Sequence, residues 1–589
     1  MARPQTVRRA FAPALILVLA PFVAGQAAAQ EDLVMRALAD ELDRSMTLQL
    51  EDLQKPYFVQ FTAIDTYAYR ITATCGAIVT SDDNQSRRIA SEVRVGDYEL
   101  DNTNFGGGGG QFRPGRRGGG GRGASGMAQL PLEDDYAAIR QAAWLATDGA
   151  YKSAVETLTQ KQAYMENREY PDRPDDFARA EAVVAIESPA RMTLDSEECE
   201  SRLRSVSQRF LDHPSILDSS VSLTASAITR RLVNSEGSKL RAGATSFVLT
   251  ISAQVQAEDG EQLSDRITYH ADTPEGLPSV AEMLADVDEL ATLLTLKREA
   301  PVLEDYMGPV LFDGLASPQV FNTLLARGVA AQVDAVGAGR RRFGGTENLE
   351  KYLNKRILPR SFQIYDDPRT ASVGEDYLAG HYLFDDEGVE AQRVDLVANG
   401  RLEAMLMSRT PTQDFPESNG HGRSGGIGRA RAAAGCLFIT TSDGLPDEEL
   451  KQALIEAAED QDLDYALRVV SIGGAGRGGA ARQAFGGRGF GRVPSTPEGS
   501  ALGDPIAIYK VYLDGREELV RGCEFAPVSV SALKDIIAAG ETATVYNTGR
   551  SAGSGTSIIA PAVIFEEIEI YTIEEERQKE PVIAAPHLR

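Results

Sequence analysis

A catalytic zinc needs about three protein ligands from converging elements, and an H-E-x-x-H helix supplies two of them one turn apart. The chain has five histidines, His213, His270, His381, His421 and His587, and none has another histidine within five positions. His381 and His421 remain candidates for a cluster assembled in space, with Asp385, Asp386 or Glu387 nearby. The competing reading is that of isolated surface or hydrogen-bonded histidines. Ser531 and Lys534 fit S-x-x-K, which can set a lysine beside a serine nucleophile across one helical turn. No S-D-N or K-T-G partner accompanies them, so capping by Ser529 or Ser531 of a helix that ends at Gly540 is the better reading. Two G-x-S-x-G matches, Gly422 to Gly426 and Gly549 to Gly553, lie in glycine-rich loops and not at the strand-to-helix turn that a nucleophile elbow requires. "DDEG", Asp385 to Gly388, has carboxylates for a cation but reads as a solvated hairpin tip. These residues assign no catalytic and no metal-binding position.

One segment looks like the approach to an active site. "GPVLFDGLASPQVFNTLLARGV", Gly308 to Val329, gives a short apolar strand and then a helix without His, Cys, Asp or Glu. Its stripe of Val320, Phe321, Leu324 and Leu325 is expected to bury against a sheet.

The chain must supply the elements that would position such groups. Its 589 residues exceed one ordinary core, and 42% hydrophobic with 25% charged residues is a globular balance, so two domains are expected. Asp and Glu number 86 against 60 Lys and Arg, a formal charge of −26, which repels phosphate backbones and argues against nucleic acid as a partner. Arg8 and Arg9, an apolar run from Phe11 to Val23 and Ala27 to Ala29 read as a secretory signal over 1–29. Export to a periplasm or the medium is expected, with no membrane span after cleavage. Four cysteines, Cys75, Cys199, Cys436 and Cys523, lack any C-x-x-C pairing; disulfides are open to an exported chain, and spacing cannot choose among pairings.

Two Gly/Arg tracts, 104–126 and 473–493, read as insertions that offer little to bury, in preference to RNA-binding segments. The N-terminal part, 30–300, alternates strands with helices at Asp134 to Glu166 and Ser279 to Leu294. In the first of these Ile139, Ala143, Trp144 and Leu145 form the expected apolar face. Asp259-Gly260 and Asn399-Gly400 are hairpin signals. Pro446 opens a helix with acidic residues in its first turn. The part from 301 to 589 is otherwise mostly strand, with a short helix from Ser531 to Ala539. The fold class is α+β: an N-terminal α+β domain and a β-rich C-terminal domain.

In the second half an ordered series resembles the TldD/PmbA (TldE) family, metallopeptidase-related proteins also known as modulators of DNA gyrase. The series is "GPVLFDGLAS", "NKRILPRSFQIYDDP", "HYLFDDEGVEAQRVDLVANGRLEAMLMSRTP", "LPDEELKQALIEAAEDQDLDYALRVVSIGG", "ELVRGCEFAPVSVSALKDIIAAG" and "APAVIFEEIEI". The resemblance implies a two-domain protein. It also implies a TldD-type paralogue or a second copy as partner, and unfolded or modified peptides as substrate. In active members an H-E-x-x-x-H helix and a later cysteine hold the metal, with the glutamate as base on a metal-bound water. This sequence departs from that pattern. Residues near Thr323, Leu324 and Gly328 stand where those groups are expected, and "ATVYNTGRSAGSGTS" has no cysteine. The resemblance therefore implies no cofactor in this chain, with zinc or another divalent metal only in a partner subunit. Three expectations follow: a metal-free TldE-like subunit; an envelope binding or structural protein without a proteolytic role; or a divergent peptidase using Ser531 and Lys534 or the His381 and His421 pair.

Overall fold

The computed structural model describes residues 32–49, 53–106, 126–166, 168, 170, 172–337, 348–473, 502–549 and 555–573. The signal segment, most of both Gly/Arg tracts and Ser551 of the second G-x-S-x-G match lie outside these residues.

The N-terminal half is a twisted sheet with its helices on one face. Long strands β1 (Pro56–Thr74), β2 (Ala77–Val95), β3 (Asp218–Asn234), β4 (Lys239–Gln256) and β5 (Gln262–Ala271) run in the order β2, β1, β3, β4, β5, all neighbours antiparallel. Met127–Gln129 extends the β2 edge, and Val184–Ile186 lies parallel to the start of β4. Phe61 and Ala63 pack under α1 (Leu33–Ser45) and α2 (Tyr136–Met165). Farther along β1, Ile71 and Ala73 pack under α3 (Ser196–Gln208) and α4 (Val280–Glu299). Each helix starts at a side-chain cap, Asp32, Asp135, Asp195 or Ser279, and Ser279 forms a full capping box with Glu282.

Because strand side chains alternate, consecutive arginines of β3 serve opposite faces. Arg231 pairs with Asp32 and Asp65 on the helix side, while Arg230 pairs with Asp386 of the C-terminal half. The α2 face is narrower than its sequence implies. Ile139 and Ala143 are buried, whereas Trp144 and Leu145 are 37% and 44% exposed, since residues adjacent to Ala143 turn about 100° away from its face.

The C-terminal half is a mixed sheet whose centre is β13 (Ser557–Thr572). The other long strands are β6 (Tyr306–Phe312), β7 (Phe362–Asp366), β8 (Val394–Ala398), β9 (Cys436–Thr441), β10 (Tyr465–Ile472), β11 (Pro505–Tyr512) and β12 (Ile536–Asn547). The order is β8, β7, β9, β13, β6, β10, β11, with β12 paired to β13 away from this path. Alternation along β6 sends Val310 and Phe312 into the main core and Leu311 to the opposite face. There α6 (Asp447–Asp460) covers Leu311 with Leu450, Leu454 and Ile455.

The segment following β6 is a short helix, α5 (Ala316–Phe321), continued by a π-helical turn, Asn322–Ala326. Val320, Phe321, Leu324 and Leu325 are all buried in the main core, as expected. Each such side chain contributes roughly 1.5–3 kcal/mol by leaving water.

The helix expected from Ser531 to Ala539 is not formed. Val530–Asp535 is a 3₁₀ turn without a side-chain cap, and the chain then enters β12, where Ile536 pairs with Phe565 and Ala539 with Val563. Strand pairing to the sheet centre outweighs the weak local helix preference of this run.

Candidate functional site

"DDEG" is not a solvated hairpin tip. Asp385, Asp386 and Glu387 are 3%, 5% and 4% exposed, held between the two halves of the molecule. The Asp385 carboxylate accepts from the backbone N–H groups of Glu387, Val389 and Gly422, each at 2.9 Å. Asp386 accepts from the amide and hydroxyl of Ser424, both at 2.7 Å, and its Oδ1 lies 3.2 Å from Arg230 Nη1. Its backbone carbonyl accepts from Gln60 of β1 at 3.2 Å. Glu387 accepts from the Arg409 amide at 2.6 Å. Gly422 is required between the two acids, because a Cβ there would lie 2.3 Å from Glu387 Oε2 and 3.0 Å from Asp385 Oδ2.

The environments of the acids differ. Burial first, then the neighbouring Glu387 charge, pushes Asp385 up to about 8. Burial likewise raises Glu387. For Asp386 burial acts in the same direction, but Arg230, Arg423 and the Ser424 hydrogen bonds overcome it and hold the carboxyl below its ordinary value.

Arginines carry the junction further. Arg409, fully buried, donates to the Ala178 carbonyl and pairs with Glu236 at 2.7 Å. Its guanidinium lies 4.0 Å from the Phe177 ring centroid, and that of Arg94 lies 3.6 Å from the same ring. Arg94 in turn pairs with Asp101 at 2.9 Å and Glu92 at 2.7 Å. At the other end of the junction Arg521 binds Asp259 and Glu261, both at 2.7 Å, while Lys297 donates to the Ile506 carbonyl. Such a network of mutually engaged charges sets how the halves meet.

The two candidate histidines have separate partners. His421, fully buried, places Nε2 3.1 Å from Asp366 Oδ1 and Nδ1 3.0 Å from both the carbonyl and side-chain oxygens of Asn419. Asp366 also accepts from the Gly435 and Cys436 amides. His381 lies in another loop with Nδ1 2.9 Å from the Pro368 carbonyl. Among the described residues no group of three or more His, Cys, Asp or Glu is placed to hold a metal. The donor set of α5 and its π turn does not fit one either: Leu324 is buried and Thr323 bonds back to the Gln319 carbonyl at 3.0 Å.

The serine candidates fare similarly. Ser531 is exposed and its hydroxyl lies 2.5 Å from that of Ser529, with no base in contact, while Lys534 is exposed on the same turn. Ser424, within the first G-x-S-x-G match, is committed to Asp386. All four cysteines are unpaired, with Cys75 exposed and the others buried.

Sequence reasoning missed Arg94, Arg230, Glu236 and Arg409, which lie on strands and loops of both halves. The one local signal was charge within runs that must otherwise bury, as in "MLMSRTP".

The two sheets with their helices form an α+β architecture that known proteins share. The family model PmbA/TldA metallopeptidase C-terminal domain matches residues 306–459. A curated metalloprotease of Archaeoglobus fulgidus is 30% identical over 108 residues, 18% of this chain and 24% of that protein. The match thus spans about a quarter of that relative's length. TldE from Thermococcus kodakarensis superposes with a TM-score of 0.57 at 12% identity, covering 91% of this chain and all of that one. A Thermotoga maritima protein described as a modulator of DNA gyrase gives 0.55 at 14% identity, over 87% of this chain and 96% of the other. The family-model match is confined to residues 306–459, and the likeness to the solved structures over most of the chain shows a shared fold.

Proposed function

We propose that this chain is a TldE-like subunit that holds no metal and presents peptide to a metal-bearing TldD-type partner after export from the cytoplasm. The observation that supports this reading is the segment from Ala316 to Ala326. It keeps its place beside the central strands, with Ser317 donating to the Pro561 carbonyl at 2.5 Å, yet it fills that place with buried apolar side chains. A peptide-holding element is available in β12. It pairs with β13 on one side, and beyond Glu541 its outer edge forms no ladder with another described strand. An extended peptide can add there through backbone hydrogen bonds, which tolerate many sequences.

Affinity capture of the chain from its native cell envelope, with metal analysis of the eluate, tests the assignment. The expected result is co-elution of a relative bearing H-E-x-x-x-H together with a divalent metal. Chelator-sensitive peptidase activity in the purified chain alone overturns the metal-free role. Capture without such a relative overturns the subunit role in favour of an envelope binding protein.

A further inference from the structure

Beside the outer edge of β2 lies a notch of about 260 Å³ that none of the roles above uses. Its walls include Gln60 and Thr62 of β1, Glu92 of β2, Asn102, Ser153 of α2 and, from the C-terminal half, Arg429. At roughly 30 Å³ per water molecule the space equals about nine waters, the scale of a small dipeptide.

Several backbone groups at this edge already have partners. Asn102 accepts from the Val95 amide at 2.9 Å and donates to the Val93 carbonyl at 3.3 Å, and the Gly126 carbonyl accepts from the Ser91 amide at 2.7 Å. Few backbone groups are thus left for a further strand, and the side chains of the walls carry the recognition. Glu92 is balanced by Arg94 at 2.7 Å. Arg429 is different: the residue is exposed, donates to the neutral oxygens of Asn104 at 3.0 Å and Thr410 at 3.4 Å, and pairs with no carboxylate among the described residues.

A guanidinium fork matches a planar carboxylate with two parallel hydrogen bonds. The Glu92 carboxylate in the wall disfavours a phosphate dianion and suits a ligand whose other end carries N–H groups. We propose that the notch binds the carboxylate terminus of a short peptide, with Arg429 as the partner of the carboxylate. The choice of a peptide as carrier rests on the peptide-handling reading above. The binding itself requires no partner subunit, so a failed subunit assignment and a failed notch are separately visible.

Calorimetric titration of the full chain with N-acetyl-alanyl-alanine, and with the same compound as its C-terminal amide, tests the proposal. The free acid should bind and the amide should bind at least tenfold more weakly. Arg429→Gln should weaken the acid at least tenfold without changing the melting temperature, and Arg429→Lys should recover part of the loss. Ser153→Trp, an exposed position on the notch wall, should block the acid while the fold is retained. Equal binding of acid and amide, an unaltered affinity in Arg429→Gln, or no binding of either probe overturns the proposal.

Discussion

Arg409 and Ala178, from opposite halves of the molecule, are joined in both directions. The Arg409 side chain donates to the Ala178 carbonyl at 3.0 and 2.7 Å, and the Ala178 amide donates to the Arg409 carbonyl at 2.8 Å. Arg409→Ala strips this bridge, leaves Glu236 without its cation and bares one face of Phe177. Removing one partner of a buried pair costs about 3–5 kcal/mol, so a large fall in the melting temperature is expected, with limited recovery in Arg409→Lys because the fork is lost. An alanine variant as stable as the parent would show that the junction does not depend on this residue.

Stability should also fall as pH rises through the neutral range. Asp385, pushed up to about 8 in the folded protein, binds a proton that the unfolded chain has released above its ordinary value of 3.8. Its stabilising contribution is full below about pH 4, declines from there, and is gone above about pH 8. Carboxylates held below their ordinary value, Asp101 and Asp386 among them, act only in more acidic solution, while His270, held below its ordinary value of 6.5 by burial, acts in the opposite sense and equally in parent and variant. Glu387→Gln removes the like charge beside Asp385 while keeping an oxygen for the Arg409 amide. Thermal unfolding from pH 5 to 8 should show a shallower decline in that variant than in the parent; parallel curves would remove the pair from the account.

Thiol chemistry should distinguish one cysteine from three. Cys75, at the β1–β2 turn, is exposed, whereas burial raises the thiols of Cys199, Cys436 and Cys523, the last to about 12. A thiolate-directed reagent should label Cys75 quickly and the others only on unfolding. Fast labelling of more than one site in the native protein would contradict the packing.

Ser531→Ala and Lys534→Ala should each change stability by less than about 0.5 kcal/mol, as expected for exposed positions without special partners. They should leave any peptidase activity of a captured complex intact. A loss of activity in Ser531→Ala that a chelator does not mimic would revive the serine route.

What the sequence made legible was local. Asn399 and Gly400 have φ of 50° and 74°, as their hairpin turn requires, and Pro446 stands at the start of α6. The buried stripe after β6 was readable because apolar spacing reports burial directly. The role of Asp385 to Glu387 was not, because Gln60 meets Asp386 from 326 positions away and no local pattern encodes that encounter. Ser531 misled for a related reason: the preference of its own segment lost to a partner strand. The junction arginines combine both difficulties, being single charges whose counterparts belong to the other half.

The position of β13 has a consequence for biogenesis. It is the last described strand, yet it lies at the sheet's centre, where Val563 pairs with Phe312 from about 250 residues earlier. Strands β6 and β9 each need it on one side, so most of the C-terminal half must wait, with apolar strand edges uncovered, until synthesis has passed Thr572. Contacts this distant form slowly and leave intermediates prone to aggregate. A chain shortened before Ser557 would therefore lose the keystone of its larger sheet, and the waiting interval is when a chaperone has most to protect.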